Sequence, residues 1–316
     1  MSEILQPFLK GRSFLTLKDF TTQQIRSLLD LSHLLKKEKQ DGKIQQRFKG
    51  KTLAMIFEKP STRTRCAFET AFGEEGGHPV FLSKSDIQLG AKETIEDTAR
   101  VLGRMFDAIQ FRGFRQQTVE TLAKYSGVPV YNGLTDIYHP TQVLADLMTM
   151  EESLGKLEGT KLVYAGDGRN NMAHSLMLGC ALMGVHLTIA APESLFPEPQ
   201  YIEQALSIAK NTGSRIDIVT NLKQAAVGAD ALYTDVWASM GEENQIQFRK
   251  AILSPYQINE AIMKATDQIN TIFLHCLPAV RGNEMTEEVI EGPQSRVWDQ
   301  AENRKHTIKA LMLATL

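Results

Sequence analysis

The chain has 316 residues, of which 42% are hydrophobic and 23% charged, and its 35 Lys and Arg residues against 37 Asp and Glu residues give a net charge of -2. This length predicts two domains in an ordinary globular protein. The balanced charge argues against a nucleic-acid partner, and no apolar run approaches the roughly 20 residues that span a membrane. Three cysteines without a C-x-x-C pair and no recognisable signal peptide predict a cytoplasmic protein.

The first predicted element is a helix that begins after Thr21. Thr21 and Gln24 have the spacing of a capping box, and Ile25, Leu28 and Leu29 continue with helical spacing. The pattern therefore predicts a capped amphipathic helix.

Short apolar runs then alternate with helical patterns. The predicted strands are Leu53–Phe57, Val80–Ser83, Ala108–Arg112, Val128–Tyr131, Lys161–Ala165, His186–Ala190, Arg215–Val219, Ala231–Val236 and Thr271–Cys276. Strands that alternate with helices form parallel sheets buried on both faces. The sequence therefore predicts an α/β fold with two doubly wound parallel-sheet domains.

The domain boundary is predicted after a long helix that runs from Pro140 to about Ser153. The glycine-flanked stretch 155–159 follows this helix and is typical of a connection between domains. We therefore expect a first domain over residues 1–150 and a second over 151–297. Residues 298–316 have the apolar spacing of a final helix.

The sequence Ser61-Thr62-Arg63-Thr64-Arg65 lies where the first predicted strand gives way to a helix. Hydroxyl groups, guanidinium groups and the N-terminus of a helix together form a site for a phosphate. No G-x-x-x-x-G-K-[ST] sequence is present, so we expect a small phosphorylated compound rather than a nucleotide bound in a Walker loop. The alternative is a capped helix start with two solvated arginines.

Polar or glycine-bearing sequences follow several other predicted strands: Arg112–Gly113, His139–Gln142, Gly166–Asn171, Asp235–Gly241 and His275–Pro278. Ligands of doubly wound sheets bind beyond the carboxyl ends of the strands, so these junctions predict one active-site cleft between the domains. Each junction also has a structural alternative. His139 can cap its helix, Cys276 can be an inert buried thiol, and Asp235 can form a turn.

Other site classes lack their motifs. The glycines at Gly166 and Gly168 suggest a dinucleotide fingerprint, but Asn171 stands in place of its third glycine. Neither H-E-x-x-H nor G-x-S-x-G occurs. We therefore expect no metal site and no organic cofactor.

Three motifs, Ser61–Arg65, His139–Gln142 and His275–Pro278, resemble those of the carbamoyltransferases in order and spacing. Asp235 with Ser239-Met240-Gly241 resembles the ornithine branch of that family. The resemblance extends over essentially the whole chain. It implies one domain for carbamoyl phosphate, one for the amino acid, a C-terminal helix that returns to the first domain, and a homotrimer, with a higher assembly left open.

The activity implied by the resemblance is transfer of the carbamoyl group of carbamoyl phosphate to the δ-amine of L-ornithine. The products are L-citrulline and phosphate, which belong to arginine biosynthesis or degradation. The catalytic residues implied are Arg112, His139, Asp235 and Cys276. The ornithine-binding residues implied are Asn171, Asp235, Ser239 and Met240.

The carbamoyl phosphate pocket implied by the resemblance is larger. It consists of Ser61, Thr62, Arg63, Thr64, Gln88, Arg112, His139, Gln142, Cys276, Leu277 and Arg304. The residues of the Ser61–Thr64 stretch hold the phosphate, and Gln88 reaches the site of a neighbouring subunit. Gln142 and the backbone of residues 276 and 277 hold the carbamoyl NH2 group.

One departure from the family pattern is visible, since the stretch from Arg281 to Gly292 is shorter than in many bacterial relatives. Three alternatives stay open. They are a sister carbamoyltransferase that acts on putrescine, aspartate or an acylated ornithine, a nicotinamide dehydrogenase, and a binding protein without catalysis. The sequence Ser239-Met240-Gly241 and Cys276 favour ornithine as the acceptor.

Overall fold

The computed structural model of the chain describes residues 9–43, 45–85, 87, 92–238 and 246–316. The chain forms two compact units, one made of Met1–Ala145 and Asn303–Leu316 and the other of Asp146–Glu302. Each unit contains one sheet whose strands are all parallel. The predicted α/β class with two parallel-sheet domains is confirmed.

The first unit contains a sheet of four strands in the order β2-β1-β3-β4. Its elements are α1 Thr22–Gln40, β1 Thr52–Phe57, α2 Arg63–Gly73, β2 His78–Ser83, α3 Ile95–Met105, β3 Ala108–Arg112, α4 Gln116–Ser126, β4 Val130–Leu134 and the start of α5 Pro140–Leu154. The order of the strands reverses between β1 and β3. The residues that follow β1 and β3 therefore lie at the switch point where such sheets bind ligands.

The N-terminus of α1 has the predicted capping box. The Thr21 hydroxyl accepts a hydrogen bond from the backbone N–H of Gln24 at 3.2 Å, and the Gln24 side chain accepts one from the backbone N–H of Thr21 at 3.0 Å. Ile25, Leu28 and Leu29 are buried on the inner face of this helix. Two of the otherwise unpaired N–H groups of the helix start are thus satisfied locally.

Strand β4 begins two residues later than predicted. Helix α4 ends at Gly127, whose φ of 73° places it in the left-handed region. Pro129 then has no N–H group with which to join the hydrogen-bond ladder. These two residues extend the connection, so the strand starts at Val130 instead of Val128.

The second unit contains a sheet of five strands in the order β7-β6-β5-β8-β9. Its elements are β5 Lys161–Ala165, α6 Asn171–Met183, β6 His186–Ala190, α7 Pro199–Ala209, β7 Ile216–Val219, α8 Leu222–Ala226, β8 Ala231–Thr234, α9 Ile246–Leu253, α10 Glu260–Ala265, β9 Ile272–His275, α11 Glu287–Ile290 and the start of α12 Val297–Thr315. The switch point of this sheet lies between β5 and β8. Strands β8 and β9 end earlier than predicted, which leaves Asp235 and Cys276 just beyond the last strand pair, Thr234 and His275.

Residues 303–315 of α12 and the following Leu316 pack within the first unit. The Tyr131 hydroxyl lies 2.7 Å from the Thr315 hydroxyl, and Lys309 Nζ lies 2.9 Å from the Glu74 carboxylate. Burial alone would raise the pKa of Glu74, but hydrogen bonds from Lys309 and Lys39 lower that pKa to about 2. No helix among the described residues is long and apolar enough to cross a membrane.

Candidate active site

The N-terminus of α2 carries the first candidate residues. The Thr62 N-cap has φ and ψ of -79° and -58°, and its side chain makes no capping hydrogen bond. Ser61 is half-buried, Thr62 is exposed, and Thr64 is buried inside the first turn. A helix start offers backbone N–H groups and the positive end of the helix dipole. This N-terminus therefore has the properties of an anion-binding site.

Two buried arginines meet at Thr64. Arg112 Nη1 donates to the Thr64 hydroxyl at 3.0 Å, and Arg304 Nη2 donates to the same oxygen at 3.4 Å. Arg304 also donates to the Gln142 side chain at 2.6 Å and to the Thr141 hydroxyl at 3.4 Å. Hydroxyl and amide oxygens carry no formal charge, so these four bonds orient the guanidinium groups without neutralising them.

His139 lies beside these arginines, immediately before α5. It is 5% exposed. Burial lowers the pKa of His139 well below 6.5, and the positive charges of Arg304, Arg112 and Arg63 lower this pKa further. The imidazole is therefore neutral at neutral pH and has one N–H donor. Thr64, Arg112, His139, Gln142 and Arg304 are called the basic cluster below.

The two arginines of the Ser61–Arg65 motif have different environments. Arg63 lowers the pKa of His139 and so acts on the basic cluster. Arg65 pairs with Glu69 at 3.0 Å and stacks over the Phe81 ring at 3.8 Å. Arg65 also lines a pocket of about 690 Å³ together with Ser61 and Thr62. The interpretation of a solvated arginine fits Arg65, whose side chain is 43% exposed, whereas Arg63 acts on a buried imidazole.

Asp235 and Cys276 meet just beyond the carboxyl ends of the neighbouring strands β8 and β9. The Cys276 thiol donates to Asp235 Oδ1 at 3.0 Å, and the backbone N–H of Val236 donates to the same oxygen at 2.8 Å. Burial raises the pKa of the Asp235 carboxyl, whereas the two hydrogen bonds that Cys276 and Val236 donate to Oδ1 act in the opposite direction. Cys276 is thus half-buried and makes a polar contact, and its catalytic role stays a prediction.

Asn170, which contacts Asp235, is not among the residues predicted from the sequence. Its amide nitrogen lies 3.3 Å from Asp235 Oδ2 and 2.7 Å from the Tyr164 hydroxyl. The Asn170 side-chain oxygen caps α6 by accepting from the N–H of Ala173 at 2.8 Å. An asparagine just before a helix is a recognisable N-cap signal, but that signal does not show where its amide nitrogen points. Tyr164, Asn170, Asp235 and Cys276 are called the Asp235 cluster below.

The donor atoms of Asp235, His275 and Cys276 lie within 4.8 Å of one another, a spacing that permits a metal ion. Both ring nitrogens of His275 are already engaged. Nδ1 accepts the Leu277 N–H at 2.8 Å, and Nε2 lies 3.2 Å from Glu284 Oε1. In this arrangement the imidazole has no lone pair left for a metal.

Several predicted residues remain predictions. Gln88, Ser239 and Met240 lie outside the described residues. Asn171 is the first residue of α6 and is half-buried, but the hydrogen bond to Asp235 comes from its neighbour Asn170. The structure brings Thr64, Arg112, His139, Gln142 and Arg304 together in one unit, and Asp235 and Cys276 in the other.

Two family models match the chain. The model described as the carbamoyl-P binding domain of aspartate/ornithine carbamoyltransferase matches residues 12–152. The model described as the Asp/Orn binding domain of the same family matches residues 158–315. Together they account for nearly the whole length of the chain.

Individual relatives and solved structures agree with these matches. A protein of Caldanaerobacter subterraneus subsp. tengcongensis named ornithine carbamoyltransferase is 66% identical over 308 residues, which cover 98% of each chain. A protein of Pseudothermotoga lettingae with the same name is also 66% identical over 98% of each chain. The solved structure of ornithine carbamoyltransferase from Pyrococcus furiosus has a TM-score of 0.94 at 46% identity and covers 97% of each chain.

Proposed function

The chain belongs to the aspartate/ornithine carbamoyltransferase family, and we propose how its residues carry out the reaction of the ornithine branch. The enzyme transfers the carbamoyl group of carbamoyl phosphate to the δ-amine of L-ornithine and releases L-citrulline and phosphate. The observation that carries this conclusion is the 66% sequence identity to relatives of that name over 98% of the chain. The assignment of roles to residues is supported by the geometry of the two clusters.

In the proposal, Ser61, Thr62, Arg63 and Thr64 hold the phosphate of carbamoyl phosphate. The uncapped N-terminus of α2 supports this role, because its N–H groups and the Thr62 hydroxyl are not used by a local cap. Arg304 completes the pocket from α12, where Gln142 and Thr141 orient its guanidinium group. The phosphate then meets positive charge on several sides.

Arg112 and His139 act on the carbonyl oxygen. Attack by an amine places negative charge on this oxygen as the tetrahedral centre forms. The Arg112 guanidinium and the N–H of the neutral His139 imidazole are fixed donors that stabilise this charge without reorganisation. Gln142 and the backbone of Cys276 and Leu277 hold the carbamoyl NH2 group and so orient the carbonyl carbon.

Asp235 and Cys276 orient the δ-amine of ornithine, and Asn171, Ser239 and Met240 bind the rest of the amino acid. The attacking amine has to be neutral, although a free alkylamine has a pKa of about 10.4. Desolvation of the bound substrate favours the neutral form. The nitrogen–carbon bond forms, the bond from carbon to the phosphate oxygen breaks, and the departing phosphate takes the proton of the amine.

The proposal assigns carbamoyl phosphate to the first unit and ornithine to the second. It also includes a single cleft shared by the two domains, a homotrimer in which Gln88 of a neighbouring subunit completes the site, and a cytoplasmic location. A co-crystal structure with a bisubstrate analogue tests the shared cleft. Analytical ultracentrifugation tests the trimer, and a monomer that is fully active contradicts the role of Gln88.

A colorimetric citrulline assay tests the activity. The purified enzyme with carbamoyl phosphate is expected to carbamoylate L-ornithine, and to be inactive or far less active with putrescine, L-aspartate or N-acetyl-L-ornithine. The four acceptors are compared at equal concentration, with product identified by mass spectrometry. A preference for any of the other three amines contradicts the assignment of ornithine as the acceptor.

A further inference from the structure

Leu277 has an unusual backbone conformation for a leucine. Its φ is 57°, and among the described residues Asp267 is the other non-glycine residue with a positive φ. The left-handed region is unfavourable for a residue with a β-carbon, and such residues persist where the surrounding structure holds them. Leu277 lies directly after Cys276. The contacts that hold the Leu277 backbone therefore also fix the peptide next to the Asp235 cluster.

The His275 side chain holds Leu277. Its Nδ1 atom accepts the backbone N–H of Leu277 at 2.8 Å, a hydrogen bond that bridges the intervening Cys276. His275 is itself fixed by two further contacts. Its backbone N–H donates to the Gln300 side chain at 2.9 Å, and its Nε2 atom lies 3.2 Å from Glu284 Oε1. Both His275 and Glu284 are almost fully buried.

These contacts determine the tautomer of the imidazole. A backbone N–H is always a donor, so Nδ1 of His275 carries no proton, and the proton of the neutral ring lies on Nε2. That proton points at the Glu284 carboxylate, whose Oε1 atom also accepts the backbone N–H of Val280 at 2.7 Å. Glu284 therefore keeps the ring in the form that can accept from Leu277.

We propose that His275 and Glu284 are positioning residues for carbamoyl transfer. Neither is assigned a contact with substrate. His275 holds the Leu277 peptide in the left-handed conformation in which the backbone of residues 276 and 277 orients the carbamoyl NH2 group, and Glu284 fixes the tautomer of His275. The inference rests on the proposed function, because it assigns a purpose to that backbone.

A pair of His275 variants tests the proposal. In His275→Asn the side-chain oxygen takes the place of Nδ1 and still accepts from Leu277, but the contact with Glu284 is lost. In His275→Gln the amide takes the place of Nε2 and still reaches Glu284, but the acceptor for Leu277 is lost. Both variants remove the aromatic ring and leave a polar amide, so they are expected to lower the melting temperature by similar amounts.

The two variants are expected to differ in turnover. His275→Gln is expected to lower kcat about 100-fold, because a displaced carbamoyl group loses its alignment with the amine. His275→Asn is expected to lower kcat by no more than about fivefold, the effect of one hydrogen bond. The inhibition constant of inorganic phosphate is expected to stay within twofold of that of the native enzyme in both variants, since the phosphate residues are unchanged.

Two Glu284 variants provide an independent measurement if a His275 variant does not fold. Glu284→Gln keeps an acceptor for both Val280 and His275 and is expected to retain most of the turnover. Glu284→Leu removes the acceptor, frees the tautomer of His275, and is expected to lower kcat without weakening inhibition by phosphate. The proposal is overturned if kcat falls in both Glu284 variants and the size of each fall simply matches the fall in melting temperature.

The outcomes separate this inference from the proposed function. If the native enzyme forms no citrulline, the proposed function fails. If the native enzyme forms citrulline and His275→Asn loses as much turnover as His275→Gln, the proposed function stands. His275 is then a structural residue only, and the positioning role is wrong.

Discussion

The basic cluster and the Asp235 cluster both lie beyond the carboxyl ends of strands in their own sheets. They differ in how burial and neighbouring groups shift the pKa of their titratable residues. In the basic cluster, burial and the neighbouring arginines act in the same direction, and both lower the pKa of His139. In the Asp235 cluster, burial raises the pKa of the carboxyl, while the hydrogen bonds from Cys276 and Val236 oppose that rise. One cluster therefore keeps a base neutral, and in the other burial and hydrogen bonding act against each other on an acid.

Of the substitutions in the two clusters, Arg112→Ala is expected to have the largest effect on turnover, because it removes a fixed donor from the basic cluster. We expect Arg112→Ala to lower kcat about 100- to 1,000-fold, the usual loss for a group that stabilises a developing oxyanion. Steady-state kinetics measures the loss, and thermal unfolding checks that the variant is folded.

Arg100→Ala is the matched control. Arg100 lies on the exposed surface of α3, where it pairs with Asp97 at 2.8 Å. The Arg100→Ala substitution is expected to leave kcat unchanged. Normal turnover in Arg112→Ala would refute the role of Arg112.

The pH profile sharpens the comparison, because the two clusters are expected to contribute differently to it. The kcat/KM value for ornithine is expected to rise about tenfold per pH unit between pH 6 and 8, as the substrate amine with a pKa of about 10.4 loses its proton. His139 adds no inflection near pH 6.5, since its pKa lies well below that value and the ring is neutral throughout. Its protonation adds a loss only at more acidic pH.

Initial rates at subsaturating ornithine across pH 5 to 9 measure this profile. A flat profile contradicts attack by the neutral amine. An inflection near pH 6.5 that disappears in His139→Asn would show that the arginines do not depress the pKa of His139 in the working enzyme.

Asp235→Asn is expected to affect the second cluster alone. The amide keeps a hydrogen-bond acceptor but loses the negative charge, so the KM for ornithine is expected to rise about 10- to 100-fold, as for the loss of a charge-assisted hydrogen bond. Inhibition by inorganic phosphate, which reports on the basic cluster, is expected to stay unchanged. Asp97→Asn, at the exposed partner of Arg100, is the control. Weaker phosphate inhibition in Asp235→Asn would place Asp235 in the other half of the site.

Two threonines at helix starts give the smallest expected effects and separate stability from binding. Thr21→Ala removes a capping box and is expected to lower the free energy of unfolding by about 1 kcal/mol without changing the kinetics. Thr62→Ala removes a hydroxyl that makes no cap, so stability is expected to change little. The KM for carbamoyl phosphate is expected to rise about fivefold in this variant, the effect of one hydrogen bond. Equal destabilisation by both substitutions would mean that Thr62 serves the helix rather than a ligand.

The sequence itself determined which segments form strands and helices, because these depend on local periodicity and local capping. The alternation of apolar runs with helical patterns predicted the parallel α/β class, which the structure confirms. The capping box of Thr21 and Gln24 follows from two residues three positions apart. The family motifs are also local, since each lies within a few consecutive residues.

The tertiary structure alone decided which distant side chains meet. Arg304 contacts Gln142 across 162 positions of the chain and Thr64 across 240. The pKa of His139 depends on arginines from three separate segments, and the amide nitrogen of Asn170 reaches Asp235 across 65 positions. Charge interactions and hydrogen bonds depend on distance in space, and spacing along the chain does not give that distance until the strands are placed in their sheet order.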